Sequence, residues 1–273
     1  MEVKHGKRGR ILKSNKAYDF FEKHGHLFWS LLSFALAILV WWLISLTKAG
    51  GVVFSSPAAV LKRGAEYIKD GTLWGHTSLS LFRVVCGFLL GFFASIPVAF
   101  LMGWYRPVRL LLEPWIKFLK CIPPISYIPL VVVAAGIGEK AKIIVIFIAC
   151  FLTCVVTIYQ GVLNVDETLI KAAKVLGAKD VNMFLTVVVP ASTPFIVTAM
   201  KLGLSSALTT LIASEMVGAV MGLGTMIQTA SQYFMMDVVL LGIVIIGAIG
   251  ILLQVLVELL EKKFTGWQEK REV

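Results

Sequence analysis

Charge is scarce in this chain. Asp, Glu, Lys and Arg make up 15% of its 273 residues, against roughly 25% in ordinary soluble domains. Hydrophobic residues reach 58%, where such domains carry about 45–50%. The imbalance excludes a soluble globular domain, and the mean hydropathy of +0.85 points the same way. The chain reads as an integral membrane protein whose length suits one membrane domain with no sizeable soluble one. Sequence signatures of catalysis are also missing. No G-x-x-x-x-G-K-[ST] loop is present to cradle nucleotide phosphates, and there is no G-x-S-x-G elbow, no H-E-x-x-H helix and no paired metal-ligand spacing. The four histidines are His5, His24, His26 and His76; His24 and His26 flank Gly25, too little to argue for a metal. Buried carboxylates and nucleophile–base pairs, which an enzyme would need, are absent from the pattern, so the chain reads as non-catalytic. Cys86, Cys121, Cys150 and Cys154 lie in or beside apolar runs and form no CxxC. Cys150 and Cys154 share a helix face, yet small buried apolar residues are the better reading than a redox or metal site, and no disulfide framework is implied. A cleavable signal peptide is not expected, because the first apolar run begins near Leu27 after seven Lys/Arg and no small-residue cleavage site follows. The formal charge of +10 invites a nucleic-acid reading. The basic residues sit in tails and short loops, however, with no stripe interleaved with aromatics, so no nucleic-acid partner is expected.

What is present is a succession of apolar runs. Residues 1–26 form a basic cytoplasmic tail, in which Tyr18, Phe20 and Phe21 mark either a stretch lying on the membrane surface or part of a simple anchor. Phe28–Leu46 is a first span of the length a bilayer needs, with Trp29, Trp41 and Trp42 at its interfaces. Residues 47–82 read as external, with a short helix over 58–70 capped by Ser56 and Pro57. Val84–Met102 is a second span, with Arg83 snorkelling at its start. Ile122–Gly138 is an apolar stretch broken by Pro123, Pro124 and Pro129. The backbone groups that prolines free in a span must be satisfied by protein or by a water-filled cavity. This stretch is therefore either a kinked, packed span or a wall of a translocation path, with Ser126 beside it. Ile143–Leu163 is a fourth span. Ala191–Ala213, rich in small residues such as Ser205, is a fifth, suited to tight packing or to lining a polar route. It contains Lys201, the one clearly intramembrane charge, read as either tied to backbone carbonyls or placed on a substrate path. Glu215 stands at the outer end of this span, facing the external mouth. Residues 214–237 read as a folded-back external loop, and Val238–Val257 as the sixth span.

Orientation follows from counting Lys and Arg. Residues 1–26, 103–120, 164–190 and 258–273 hold seven, four, three and four; the opposite segments 47–82, 139–142 and 214–237 hold four, two and none. The bias places both termini and the 164–190 segment in the cytoplasm.

That segment, NVDETLIKAAKVLGAKDVNMFLTVVVP, is unlike a plain connector. Asp166 and Glu167 open a helical pattern at the positive end of its dipole. Leu169, Ala172, Ala173 and Leu176 recur at helical spacing. Gly177 closes the run, with positive φ expected. Asp180 caps a second helix over 181–188, which Pro190 ends. Ala172, Ala173 and Gly177 form a small-residue face that lets another protein approach closely.

These residues resemble the cytoplasmic loop shared by permease subunits of ABC importers, EAA, three residues, G, nine residues, I-x-L-P. Ala172-Ala173, Gly177, Val187, Val189 and Pro190 stand at the matching positions; Lys171 replaces the Glu, and Val stands for both Ile and Leu. The stretches SSPAAVL at 55–61, SLSLFRVVCGF at 78–88, IPVAFLMGW at 96–104, KCIPPISYIPLVVVAAGIGEKAKI at 120–143, SEMVGAVMGLG at 214–224 and Trp267 are similar to the nitrate/sulfonate/taurine type of permease. The resemblance implies an all-α membrane protein of about six spans with the type I importer permease fold, comprising 27–265 (core 78–262) between the tails 1–26 and 266–273. It implies a bacterial inner-membrane complex of two permease copies, two ABC ATPase subunits and an external substrate-binding protein. ATP and Mg belong to the ATPase, and this chain binds no cofactor. Glu167, Lys171, Ala172, Ala173, Gly177, Ala178 and Pro190 would form the ATPase-docking loop. Pro123, Pro124, Ser126, Pro129, Lys201, Ser205 and Glu215 would be candidates for the path of a small nutrient such as nitrate, a sulfonate or taurine. A membrane-embedded structural or signalling subunit that docks a soluble partner through the same loop is the alternative.

Overall fold

The computed structural model describes residues 16–47 and 50–264. The basic residues before Lys16 and the tail with Trp267 lie outside the described residues. The chain divides into two compact units, 1–59 and 60–273. In the first, α1 (Lys16–Ser45) contains the apolar span Phe28–Ser45, and α2 (Gly50–Val53) is a single turn. Trp41 Nε1 donates to the Ser55 carbonyl at 3.0 Å.

The boundary falls within α3 (Pro57–Lys69). Proline is its first helical residue and the Ala59 N–H donates to Ser56 Oγ, the expected cap. There follow α4 (Thr72–Trp104), α5 (Arg106–Cys121), a 3₁₀ turn at Pro124–Tyr127, α6 (Ile128–Ala135) and α7 (Glu139–Leu163). Next come α8 (Glu167–Val175), α9 (Asp180–Met183), a π-helical turn at Phe184–Val188 and α10 (Val189–Ala191). The chain closes with α11 (Thr193–Glu215), α12 (Leu223–Gln232) and α13 (Met236–Phe264). Every regular element among the described residues is helical. Five helices are long and apolar enough to cross a membrane, and six crossings result when α5 and Pro124–Ala135, bent by 97°, count as one.

Glycine sets the packing of the bundle. β-Carbons at Gly87, Gly91 and Gly103 of α4 would run into Ile146, Cys150 and Val162 of α7, so only glycine lets the two backbones come so close. The offset between partners is the same at all three contacts. Hence α4 and α7 run parallel and in register, and α5 with α6 must carry the chain back from one end of the bundle to the other. α11 packs antiparallel on α7: Gly203 lies against Cys154 and Phe195 against Gly161. The core, including Phe88, Ile146, Val155, Ile158, Ala199 and Leu211, lies between these three helices.

Three expectations are corrected. The second span does not begin at Val84: α4 is 33 residues long, about 50 Å at 1.5 Å per residue, and takes in part of the stretch read as an external segment. The proline-broken stretch is not a span by itself. Its α-helix has eight residues, about 12 Å, so the crossing enlists α5. The loop after α11 contains a ten-residue helix, α12, where only a fold-back was expected.

Candidate functional site

The segment between α7 and α11 is built from local signals. Asp166 caps α8, its side chain accepting the Thr168 N–H at 2.7 Å. That hydrogen bond holds the Asp166 carboxyl below the usual carboxylate range. Lys171 donates to Glu167 at 2.9 Å one turn back, which lowers the glutamate and raises the lysine. The lysine at the motif's Glu position thus has its countercharge within its own helix. α8 ends in a Schellman motif. The Ala178 N–H donates to the Ala173 carbonyl and the Gly177 N–H to the Lys174 carbonyl, both at 3.0 Å, and Gly177 takes φ +80°. The glycine supplies the left-handed residue that this termination requires. A β-carbon there would meet nothing within 4 Å. Around this turn Leu169, Val175, Leu176 and Val181 are exposed by 50, 87, 86 and 67%. Isolated exposed apolar residues are ordinary; a group this open on a polar segment marks a contact surface.

The second half of the segment differs from the expectation. Asp180 is the first helical residue rather than the cap, and Lys179 at the cap position makes no side-chain bond. Pro190 does not end the helix. The ladder widens to a π turn at Phe184–Val188, where the Val189 N–H reaches the Phe184 carbonyl, and then runs through Pro190 to Ser192. A proline cannot donate to the carbonyl four residues back and its ring crowds it; one widened turn relieves both. This half is anchored. Met183 and Val188 are buried, and the Phe184 ring meets Phe100 and Trp104 edge-on at 5.6 and 5.4 Å. The segment is therefore fastened to the end of α4.

The candidate path residues are not brought to one place. Pro124 and Ser126 belong to the 3₁₀ turn and Pro123 caps it, its carbonyl accepting the Ser126 N–H at 2.9 Å. Pro129 is exposed in the first turn of α6. Ser205 is half-buried on α11, its carbonyl accepting from Thr209 at 3.2 Å. Lys201 is tied to a carboxylate rather than to backbone carbonyls: its Nζ lies 2.6 Å from Glu261 of α13. Glu215 does not face an open mouth. It is fully buried and stands about 21 Å along α11 from Lys201.

At Glu215 sequence reasoning missed a cluster. Arg83 does not snorkel; it is 1% exposed. Its Nε and Nη2 hold both oxygens of Glu139 at 2.5 and 2.7 Å, and its Nη1 reaches Glu215 Oε1 at 2.6 Å and the Met221 carbonyl at 2.7 Å. Ser80 Oγ donates to Glu215 Oε1 and accepts the Leu223 N–H, while the Gly224 N–H donates to Glu215 Oε2 at 2.8 Å. Glu215 thereby sits at the positive end of α12. Lys142, also buried, lies 3.2 Å from Glu139. Arg83 and Glu215 form the fully buried pair, and removing one member of such a pair typically costs about 3–5 kcal/mol, because the other charge is left uncompensated. The signal available in the sequence was an arginine at the edge of an apolar run with an acid at the edge of another. Among the described residues no three or more His, Cys, Asp or Glu side chains gather as a metal site.

Comparison with known proteins agrees with this architecture. The family of binding-protein-dependent transport system inner membrane components matches residues 87–266. A probable ABC transporter permease protein of Brucella abortus is 47% identical over 88% of this chain and 96% of its own length. The taurine transport system permease protein TauC of Escherichia coli is 34% identical over 87% of this chain and 89% of its own. Among solved structures, an inward-facing MetNI methionine ABC transporter superposes with a TM-score of 0.59 at 21% identity, covering 71% of this chain and 95% of that one; at that identity it speaks for the fold alone, that of a type I importer permease. The all-α bundle with its apolar crossings and the run of matched residues lead to one assignment: the chain belongs to the binding-protein-dependent transport system inner membrane component family and is a multi-pass ABC importer permease subunit for a small nutrient.

Proposed function

We propose that this subunit forms the translocation path for a small sulfonate of the taurine type and is driven by a separate ABC ATPase that grips the 164–190 segment. The observation that carries the coupling half is the exposed apolar group Leu169, Val175, Leu176 and Val181 around the left-handed Gly177. It lies on a segment whose other half is anchored to α4 through Phe184. A partner that moves this surface therefore pulls on a transmembrane helix directly. On this reading ATP and Mg²⁺ are bound by the ATPase, and the complex holds two permease copies, two ATPases and an external binding protein. It sits in the bacterial cytoplasmic membrane with both permease termini inside. The sulfonate class rests on the similarity to the taurine permease. The exposed Pro129 of α6 and the polar face of Ser205 and Thr209 are the candidate walls of the path.

Substituting Gly177 by Asp tests this. A side chain at φ +80° costs about 1 kcal/mol or more, and the carboxylate adds bulk and charge where the partner approaches. The spans are untouched, so membrane levels should match the parent. Pull-down of the ATPase and taurine-stimulated ATP hydrolysis should both fall at least tenfold, Ala173→Asp should act alike, and Lys174→Ala should change little. Normal ATPase capture and normal uptake by Gly177→Asp would reduce the segment to a linker.

A further inference from the structure

The charges gathered around Arg83, of which Arg83, Lys142 and Glu215 are buried and Glu139 is exposed, have no part in the reading above. They join four helices: Arg83 and Ser80 lie on α4, Glu139 and Lys142 on α7, Glu215 on α11, and the Leu223 and Gly224 amides open α12. The arrangement is balanced in charge. Two cations face two carboxylates, so no surplus charge is left for an anion, and no buried side-chain nitrogen or oxygen among the described residues lacks a partner. The backbone makes room for it: a β-carbon at Gly222 would collide with the Glu215 carboxylate and Arg83 Nη1, and one at Gly224 would press on the Ile212 carbonyl and Glu215. The cluster sits at the opposite end of α4 from Phe100 and Trp104, which hold the 164–190 segment. Arg83 and Trp104 are 21 positions apart, about 31 Å of helix. Between them α4 meets α7 through glycines, with Ile146, Cys150 and Val162 of α7 seated in the notches.

We propose that Arg83 and Glu215 are positioning residues that clamp α4, α7, α11 and α12 into one rigid body. A displacement applied at the 164–190 segment then reaches the far end of the bundle undiminished. The clamp reinforces that packing because breaking the Arg83–Glu215 pair would leave a fully buried carboxylate without its countercharge. The coupling role rests on the proposed docking of an ATPase; the rigidity does not.

The experiment has two arms. In nanodiscs holding the permease alone, spin labels replace Trp74, on α4 beyond Arg83, and Tyr233, at the end of α12; both are largely exposed. Pulsed dipolar spectroscopy should give one narrow distance in the parent and a distribution at least twice as broad in Arg83→Gln. Arg83→Met combined with Glu215→Leu removes both charges of that pair, guards against a variant that merely misfolds, and should broaden the distribution as well; Arg83→Lys should fall between. In the assembled transporter, with taurine carried by its binding protein as probe, Arg83→Gln should lower taurine imported per ATP hydrolysed at least tenfold while ATP hydrolysis persists. A purely structural role would lower import and hydrolysis together, leaving their ratio unchanged, and that result overturns the coupling role. Narrow distances in every folded variant overturn the clamp. If the parent permease binds no ATPase, the proposed function fails, and the label distances still decide the clamp.

Discussion

Single residues here act through what surrounds them, and Gly203 shows it most sharply. It lies on α11 where a β-carbon would run into Cys154 Sγ and press on Cys150 Sγ. The two thiols are buried, 3.8 Å apart, and close to the Phe88 and Ala199 carbonyls. They occupy space that larger side chains could not share with α11. Gly203→Val should therefore destabilise the permease by about 1–3 kcal/mol through overpacking, read as a loss of thermal stability in detergent. Adding Cys154→Ala should restore part of it. If the pair of changes is no more stable than Gly203→Val alone, the cysteines are not what the glycine makes room for. The sequence placed both cysteines on one helix face and read them as small apolar residues, but not their contact with Gly203, which needs the antiparallel pairing of α7 with α11. Lys201 is a parallel case. Its depth in an apolar run was legible, whereas its partner Glu261 is 60 positions away on another helix, beyond any local pattern.

Elements were legible where their signals are local. The acidic start of α8 at Asp166 and Glu167, the Gly177 termination and the Ser56–Pro57 start of α3 involve residues within one turn, and all three appear where the sequence places them, Asp166 standing as the cap rather than the first helical residue. The misjudged elements answer to the tertiary structure. Pro190 reads as a stop, yet packing of Phe184 and Val188 on the core holds the helix through it by widening one turn. The carboxylates of α8 predict its pH response. Asp166 and Glu167 are both held below their usual values, so their contribution is complete above the ordinary carboxylate range, near about 4. It is lost as pH falls through the lowered values. Lys171, raised by Glu167, contributes fully below the ordinary lysine range, and its share is lost as pH climbs through its raised value. The Thr168 amide should thus lose protection below the carboxylate range, seen by hydrogen exchange after correction for intrinsic rates; unchanged protection would remove the cap from the account. α6 gives a second element-scale expectation. Ile128 and Val131 are buried, whereas Leu130 and Val133 are exposed by 68 and 86%. In a cysteine-free background, cysteines at 130 and 133 should react with a polar thiol reagent and those at 128 and 131 should resist. Protection at all four, in every nucleotide state, would remove α6 from the wall of the path.

For the whole molecule, the constant offset between Gly87, Gly91 and Gly103 and their partners Ile146, Cys150 and Val162 decides a question that hydropathy leaves open. A proline-broken stretch can cross the membrane or dip in and return to the same face, and the 97° bend between α5 and Pro124–Ala135 suits either. Two parallel helices joined in sequence cannot be connected by a loop that returns to its starting side. The Trp104 end of α4 and the Glu139 start of α7 lie at opposite ends of the bundle, and Arg83 confirms the level of that start by holding Glu139. The bent pair must cross. Single cysteines at Asp70, Lys140 and Lys174, all exposed, test this in intact cells with a membrane-impermeant thiol reagent. The crossing predicts labelling from outside at 70 and 140, and at 174 only after permeabilisation. If the bent pair instead returned to its own side, 174 would be reached from outside and 140 would not, and the parallel pairing on which the positions of Arg83 and of the 164–190 segment both depend would be lost with it.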